Sequence, residues 1–235
     1  MFESKDHSAL RVLVTGAASG IGAVVAATLE KEGHKIVRAD LHRTSDVQQL
    51  DVGDPLQWSD IVTANKGLDG LVNCAGIRMR TALVDLDVSE WDNVLRVNLT
   101  GTFLGIQALA RYWIATNTPG AIVNIGSTTS FSAVIGQPHY CASKAGVAML
   151  TKAAALELAE HKIRVNAVAP GPIVTPMLQK RLNEPGQQEW LTAQVPLGRL
   201  GQPEDVAAVI SFLLSSGASF ITGVTLPVDG GWLTR

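Results

Sequence analysis

The chain alternates short apolar runs with longer stretches in which apolar residues recur at helical spacing. The apolar runs are too short for helices and end at glycine, asparagine or aspartate, which is typical of buried strands. Strands are predicted at Arg11–Val14, Lys35–Ala39, Val47–Leu50, Gly70–Val72, Ala121–Ile125, Arg164–Val168 and Val224–Val228. Helices are predicted at Ile21–Glu32, Pro55–Ala64, Ser89–Ile114 (with Ser89 as N-cap), His139–Glu160 and Pro203–Leu214. Strands that alternate with helices predict an α/β fold, a parallel sheet with helices on both faces.

The connection after the second strand is short. Asp40 and Asp51 lie 11 positions apart, and the third strand candidate falls inside that interval. Only Leu41–Asp46 remains for the crossover, whereas a crossover that contains a helix needs about 10–12 residues. We therefore expect a single helical turn there, or none.

The amino-acid composition indicates the number of domains and the kinds of partner that the protein can bind. The chain has 235 residues, of which 46% are apolar and 17% charged, with a net charge of −2. We expect a single domain over residues 1–235, in which residues 1–8 form a tail. The low charged fraction favours an oligomer, and the lack of a basic stripe argues against nucleic acid or anionic membrane as partners.

The cysteines and the first residues of the chain indicate whether to expect a metal site and where in the cell the protein is located. Cys74 and Cys141 form neither a disulfide framework nor a metal-ligand spacing, so no metal site is expected. Met1–Ser8 carries Glu3, Lys5 and Asp6 without an apolar stretch. No apolar run reaches the length of about 18–20 residues that a membrane span needs. We expect a cytoplasmic protein.

A glycine-rich turn follows the first strand. The segment Thr15-Gly16-Ala17-Ala18-Ser19-Gly20-Ile21-Gly22 lies between a strand and a helix, where glycines let the backbone approach a pyrophosphate at the positive helix N-terminus. The alternative is a glycine turn without a ligand. The candidate cofactor contacts here are Gly16, Ser19, Gly20, Ile21 and Gly22.

Asp40 lies 18 residues after Gly22, at the end of the second strand. A carboxylate at this point accepts hydrogen bonds from the adenosine ribose and repels a 2′-phosphate, which favours NAD over NADP. Arg38, His42 and Arg43 lie nearby. They would weaken the preference if they faced the ribose, but side chains at a strand end are more often solvated.

Several ordered motifs together resemble the short-chain dehydrogenase/reductase family. They are Thr15–Gly22, Asn73-Cys74-Ala75-Gly76, Asn98, Ser127, Tyr140-Cys141-Ala142-Ser143-Lys144, Pro170-Gly171 and Val228-Asp229-Gly230-Gly231. The similarity extends over nearly the whole chain. It implies a Rossmann fold, a doubly wound parallel sheet of seven strands with helices on both faces.

The reaction-centre residues also make chemical sense without the resemblance. Tyr140 and Lys144 are four apart on a helix and share a face. A nearby ammonium, with the positive nicotinamide ring, would lower the tyrosine pKa from about 10 and make Tyr140 a general acid/base. Ser127, at the end of a strand, is expected to polarise the substrate carbonyl. The resemblance alone implies that Lys144 binds the nicotinamide ribose and that Asn98 holds a water that links Lys144 to solvent.

The resemblance implies further cofactor contacts. An adenine-side position corresponds to Asp51-Val52, and the end of the fourth strand to Asn73, Ala75 and Gly76. The nicotinamide carboxamide would meet the segment after the sixth strand. The residues implied there are Pro170, Gly171, Ile173 and Thr175.

The substrate side is less specific in the sequence. Residues 177–194 are expected to form a flap, with Gly186 allowing movement. Arg78 follows the Asn73–Gly76 turn and could meet a substrate carboxylate; the alternative is a solvent-facing arginine beside Arg80. His139 either donates to a substrate hydroxyl or packs at the helix start. The candidate pocket residues are Arg78, Thr128, Thr129, Gln137, His139, Met177 and Leu178.

These observations favour an NAD-dependent enzyme that transfers hydride between the nicotinamide and a small or cyclic secondary alcohol or ketone. Four alternatives remain: an NADP-dependent enzyme similar to 3-oxoacyl-carrier-protein reductases, a non-catalytic NAD-binding regulator, an epimerase or dehydratase that recycles its cofactor, and a methyltransferase. The family resemblance implies a homotetramer. Trp91 and Trp113 on the long helices are interface candidates, and Trp232 would meet a second contact or a neighbour's pocket.

Overall fold

The fold is built on a parallel sheet, seen in a computed structural model that describes residues 9–234. The expected tail, Met1–Ser8, lies outside the described residues. Seven strands pair in the order β3-β2-β1-β4-β5-β6-β7, all parallel. They are β1 Arg11–Thr15, β2 Lys35–Asp40, β3 Gln48–Gln49, β4 Gly70–Asn73, β5 Gly120–Ile125, β6 Ile163–Pro170 and β7 Thr225–Val228. This confirms the doubly wound Rossmann fold.

The central strands are apolar without alternation because both faces of the sheet are covered. In β1, Val12 and Val14 pack into one apolar core and Leu13 packs into the other. Because parallel strands run in the same sense, their carboxyl ends meet at one edge. The strand order reverses beside β1, and such a reversal opens a crevice outside that edge.

The helices divide between the two faces of the sheet. Helices α1 and α8 cover the face of Val12 and Val14, whereas α2, α4 and α5 cover the face of Leu13. Within residues 9–234, no helix combines the length and apolarity needed to cross a bilayer. The helices are α1 Gly20–Lys31, α2 Pro55–Ala64, α3 Val88–Leu95, α4 Gly101–Thr116, α5 Pro138–Leu158, α6 Pro176–Leu182, α7 Gln187–Ala193 and α8 Pro203–Leu214.

The crossover between β2 and β3 contains no helix, as predicted from its length. A turn replaces it, closed by a hydrogen bond from the Thr44 N–H to the Val47 carbonyl at 3.1 Å. The Leu50 N–H then donates to the Asp40 carbonyl at 2.7 Å. This bond holds the short β3 against β2 and keeps the end of β2 open to the crevice.

The long helix predicted over Ser89–Ile114 is interrupted. It begins after Asp87, so Ser89 is not its N-cap, and a π turn over Arg96–Thr100 separates α3 from α4. A π turn adds a residue to the helical repeat and therefore changes the face on which the following side chains lie. Here the turn contains Asn98, which is fully buried.

Trp113 lies in the core under the sheet, so the prediction that it forms a subunit interface is wrong. Its side chain is 0% exposed, and its indole Nε1 donates to the Leu68 carbonyl at 2.6 Å. Trp113 packs against Gly120 at the start of β5, where a larger residue would collide with the ring. The indole thus joins α4 to the starts of two strands.

We predict that Trp113→Phe lowers the free energy of unfolding by about 1–3 kcal/mol, because the Leu68 carbonyl loses its donor in a buried site. Trp113→Ala should cost about 3–5 kcal/mol, since it also leaves a cavity. Urea unfolding measures both changes. The control is Trp190→Phe, at a side chain that is half exposed. A Trp113→Phe variant as stable as that control would contradict the assignment.

Candidate active site

A cleft of about 710 Å³ opens at the carboxyl edge of the sheet, between the strand ends and helices α6 and α7. It runs from the glycine-rich turn to the segment that contains Met177. Of the sequence-predicted site residues, the lining includes Gly16, Ser19, Gly20, Ile21, Gly22, Asp40, Asp51, Val52, Ala75, Gly76, Arg78, Ser127, Thr128, Thr129, Gln137, Tyr140, Lys144, Pro170, Gly171, Ile173, Thr175, Met177 and Leu178.

The glycine-rich turn is compact because its glycines leave room for other backbone. Gly16 has φ +65°, and a Cβ there would lie 2.8 Å from the Ala75 nitrogen. A Cβ at Gly22 would collide with the Gly16 carbonyl, so helix α1 packs directly on the turn. The Ser19 side chain makes no capping hydrogen bond at the start of α1. A helix N-terminus that opens on a cleft in this way fits a phosphate group.

Asp40 lies at the same end of the cleft, beside the glycine-rich turn. One carboxylate oxygen accepts from the Ala18 N–H at 3.1 Å and the other from the His42 N–H at 3.4 Å. Each oxygen has a further lone pair for a ribose hydroxyl. Arg38 is paired with Glu30 at 2.6 Å, which occupies its guanidinium.

Asp51, predicted at the adenine side, is already partnered. Arg96 donates to both of its carboxylate oxygens, at 2.9 and 3.0 Å, and the Gly53 N–H donates at 2.9 Å. Asp51 and Arg96 both line the cleft. An adenine amino group would therefore meet a carboxylate that an ion pair holds in place.

Ser127, Tyr140 and Lys144 meet at the centre of the cleft. Ser127 follows β5, and its hydroxyl accepts from the Thr129 N–H at 3.1 Å and is hydrogen-bonded to Tyr140. The Lys144 ammonium donates to the Ile125 carbonyl at 2.7 Å and lies 5.8 Å from the centroid of the Tyr140 ring. The structure thus brings together three of the four residues expected to be catalytic.

Burial dominates the protonation of this group. It raises the pKa of Tyr140 above its usual range, and the opposing effects of the Ser127 hydrogen bond and the Arg78 charge are smaller. Burial also lowers the pKa of Lys144 to about 8. The expected lowering combines the Lys144 ammonium with the positive nicotinamide ring. For the chain alone, desolvation outweighs the Ser127 hydrogen bond and the Arg78 charge, so the pKa of Tyr140 is raised.

Asn98, the fourth expected catalytic residue, lies behind the cleft. Its amide donates to the Ile77 carbonyl at 2.9 Å and to the Ser143 hydroxyl at 3.1 Å, and its oxygen accepts from the Ile77 N–H at 2.8 Å. These bonds fix the loop after β4. Because a Cβ at Gly76 would lie 3.3 Å from Asn98 Oδ1 and 3.6 Å from Lys144 Nζ, Asn98 positions the wall beside the ammonium.

Two predicted contacts point elsewhere. The Asn73 side chain is buried and donates to Asn124 at 2.9 Å, because it lies on the face of β4 covered by α4. The imidazole of His139 is fully buried, 3.2 Å from the Glu90 carboxylate. His139 packs between α5 and α3, so it is not a substrate contact.

Sequence reasoning missed several contributors to the site. Ser130 accepts from the Ser127 N–H at 3.3 Å and donates to the Lys144 carbonyl at 2.8 Å, which joins two reaction-centre residues. Arg80, Arg181 and Trp190 line the cleft on the substrate side. A helical spacing of four from Met177 could have indicated Arg181.

We predict that Lys144 makes stability depend on alkaline pH. Since its folded pKa of about 8 lies below the ordinary lysine pKa of 10.5, the unfolded chain binds more protons between these values, and the free energy of unfolding rises with pH there. Lys144→Met removes this contribution. The wild type should therefore gain about 2 kcal/mol relative to the variant between about pH 7.5 and about pH 10.

Urea unfolding of both proteins at the two pH values measures this difference. Cys74 and Tyr140, whose pKa values burial raises, are present in both proteins and largely cancel. A difference that stays constant with pH would contradict the buried ammonium.

Comparisons with known proteins agree with this geometry. Residues 16–233 match the family model described as "Enoyl-(Acyl carrier protein) reductase". The (3R)-3-hydroxyacyl-CoA dehydrogenase of Rattus norvegicus is 38% identical, over 93% of this chain and 94% of its own. The 3-oxoacyl-acyl-carrier-protein reductase of Thermotoga maritima is 40% identical, over 93% and 96%.

Solved structures give the same result. The gluconate 5-dehydrogenase of Burkholderia cenocepacia, in complex with NADP and tartrate, has a TM-score of 0.91 and 33% identity, over 96% of each chain. The fold, the cleft and these relatives identify the chain as a member of the short-chain dehydrogenase/reductase family, a nicotinamide-dependent oxidoreductase that acts on CH–OH groups.

Proposed function

We propose that this enzyme uses NAD to interconvert a small or cyclic secondary alcohol and its ketone. The observation that carries the proposal is the meeting of two features in one cleft. The Ser127, Tyr140 and Lys144 group lies at its centre, and the glycine-rich turn with Asp40 lies at one end. A ligand that extends between them would place its reactive part beside Tyr140.

The cofactor, when bound, supplies or accepts the hydride. Residues of the glycine-rich turn would hold its pyrophosphate, Lys144 its nicotinamide ribose, and Ile173 with Thr175 its carboxamide. The raised pKa keeps the Tyr140 phenol protonated near neutrality, so Tyr140 donates its proton to the oxygen of a ketone. Ser127 donates a hydrogen bond to the same oxygen and stabilises the charge that develops there. Alcohol oxidation is the reverse of this step, and the deprotonated Tyr140 oxygen accepts the proton of the alcohol.

The preference for NAD rests on the charges around Asp40. A 2′-phosphate would face this carboxylate, and the candidate cations are mostly occupied or distant. Arg38 pairs with Glu30, Arg96 pairs with Asp51, and Arg43 is not part of the cleft lining. His42 lines the cleft, but its backbone N–H is what contacts Asp40.

We predict that Asp40→Asn weakens the discrimination against NADP. The amide oxygen can still accept from the Ala18 N–H, so the turn should keep its shape while the negative charge is lost. The ratio of kcat/KM for NAD to that for NADP should fall roughly tenfold or more, because like charges side by side cost several kcal/mol. Steady-state kinetics with both cofactors measures the ratio. An unchanged ratio would mean that Asp40 does not reach the ribose.

We predict that Tyr140→Phe folds and binds NADH but loses at least about a hundredfold in kcat, the size of a general acid/base contribution. Nicotinamide fluorescence gives the NADH affinity, and a panel of secondary alcohols and ketones gives turnover. The matched control is Tyr112→Phe, at the only other tyrosine of the chain. Near-normal turnover by Tyr140→Phe would refute its role.

A second candidate function has specific support. The Thermotoga maritima relative is a 3-oxoacyl-acyl-carrier-protein reductase, and the gluconate 5-dehydrogenase structure contains NADP. An NADP-dependent reductase of 3-oxoacyl thioesters would bind NADPH more tightly than NADH and reduce 3-oxoacyl thioesters. A non-catalytic NAD-binding regulator would bind NADH without turnover, but the intact Ser127, Tyr140 and Lys144 group argues against it.

We further propose that the enzyme is a homotetramer. Helices α4 and α5 present large apolar side chains to solvent, including Phe103, Met149 and Leu156, which is 83% exposed. Beyond α8, Phe220 is fully exposed near β7. Apolar surface of this kind on a chain with few charges is typical of a subunit interface.

A further inference from the structure

Three arginines line the substrate side of the cleft. Arg78 and Arg80 follow β4, and Arg181 lies in α6. Arg78 is half-buried, and its Nη2 donates to the Met177 carbonyl in the first turn of α6 at 3.3 Å. Since Arg181 comes one helical turn after Met177, the guanidinium groups from two separate segments converge on the same space.

No acidic side chain of the described residues balances these arginines across the cleft. The acidic residues of the cleft lining are Asp40 and Asp51, which lie at the nucleotide end and have partners of their own. None of the three arginines is in an ion pair within residues 9–234. Glu184 is within electrostatic reach of Arg181 but forms no ion pair with it.

The three charges act on one another. Burial lowers the pKa of Arg181 most, and Arg80 and Arg78 lower it further. Burial likewise lowers the pKa of Arg78, and Arg80 adds to the effect. Converging like charges raise the energy of the empty cleft, and an anion among them would offset this repulsion.

Resting on the proposed function, we propose that the substrate carries an oxyanionic group, a carboxylate or a phosphate ester, which Arg78 and Arg181 bind together while Arg80 attracts it from the rim. A guanidinium presents donors in a planar fork that matches such a group. The charge of Arg78 also acts on the Tyr140 oxygen. Because Arg78 and Tyr140 line the same cleft, the oxyanion would belong to the same small molecule as the reacting carbinol carbon.

Arg78 and Arg181 are held in place by different parts of the fold. Arg78 stands on the loop after β4, which Asn98 fixes through Ile77. Arg181 belongs to α6, where it donates to Gln187 at 3.0 Å and lies over the Trp190 ring at 5.2 Å. These contacts join α6 to α7, so an oxyanion held by both arginines would also hold this helix pair against the body of the cleft.

The cofactor phosphates are the other anions that could enter the cleft. The glycine-rich turn already provides a helix N-terminus for them, at the end with Asp40. The proposal therefore requires that loss of the Arg78 charge leaves NADH affinity unchanged, and this requirement separates the two sources of negative charge.

The kinetic test compares charged substrates with uncharged counterparts. The pairs are 3-hydroxycyclohexanecarboxylate with its methyl ester and glycerol 3-phosphate with glycerol, assayed with NAD. We expect one of the anions to have the higher kcat/KM within its pair, and the pair that shows it distinguishes a carboxylate from a phosphate. Arg78→Gln and Arg181→Gln should lower the ratio of kcat/KM for that anion to kcat/KM for its uncharged partner by roughly tenfold to a hundredfold.

Lys180→Gln is the matched control, because Lys180 neighbours Arg181 in α6 but is exposed and outside the cleft lining. It should behave as the wild type. Arg78→Lys should keep part of the preference, since it keeps the charge and loses the fork. High salt should weaken the selectivity for the anion, as screening weakens partly exposed charges.

A binding measurement makes the test independent of turnover. Benzoate, benzamide and inorganic phosphate are titrated into the NADH complex and followed by nicotinamide fluorescence. Benzoate or phosphate should bind the wild type at least about tenfold more tightly than benzamide, and both Gln variants should lose this preference.

Equal affinity for charged and uncharged probes, failure of both anions to bind, or a loss of NADH affinity in Arg78→Gln would overturn the anion site. Failure of the wild type to bind NADH at all would instead overturn the proposed function. The two failures are therefore distinguishable.

Discussion

The buried ammonium of Lys144 donates to the Ile125 carbonyl at 2.7 Å, and the geometry of the cleft depends on this hydrogen bond. A buried cation without an acceptor would be strongly unfavourable, so the bond fixes α5 against the end of β5. Tyr140 lies one helical turn before Lys144, and Ser127 lies two residues after Ile125. The same contact therefore sets the proton donor and its hydrogen-bonding partner side by side.

The cleft has opposite electrical character at its two ends. Asp40 and Asp51 lie at the nucleotide end, where the backbone of the glycine-rich turn and Arg96 hold them. Arginines lie at the substrate end, without an ion-pair partner in the described part of the chain. The charges that contact the dinucleotide are thus separate from the charges that face the substrate, and Tyr140 lies between the two ends of the cleft.

The sheet could be predicted from the sequence because strands buried on both faces leave continuous apolar runs. Helices α2 and α8 were predicted with their observed bounds, since a proline marks the start of each. The π turn over Arg96–Thr100 left no such local signal. The burial of Trp113 also depends on packing between elements, here on Gly120 of a distant strand.

The reaction centre was found for a similar reason: Tyr140 and Lys144 are local neighbours on one helix, and Ser127 ends a strand. The sequence does not show how deeply each of these side chains is buried or which way it points. In the chain alone, burial raises the pKa of Tyr140, opposite to the expected shift. Asn73 in β4 and His139 in α5 lie on faces of their elements that point away from the cleft. Arg181 reaches the cleft only because α6 folds over it.

The fold, the cleft and the reaction-centre residues together imply direct hydride transfer between the alcohol carbon and the nicotinamide. It is tested most directly with NAD and alcohols deuterated at the carbinol carbon, both 3-hydroxycyclohexanecarboxylate and cyclohexanol, with mass spectrometry of the NADH formed. We expect one deuterium to pass from the alcohol to the nicotinamide ring, without exchange with solvent. NADH that carries only solvent hydrogen, or tight binding of NADH without any transfer from either alcohol, would contradict it.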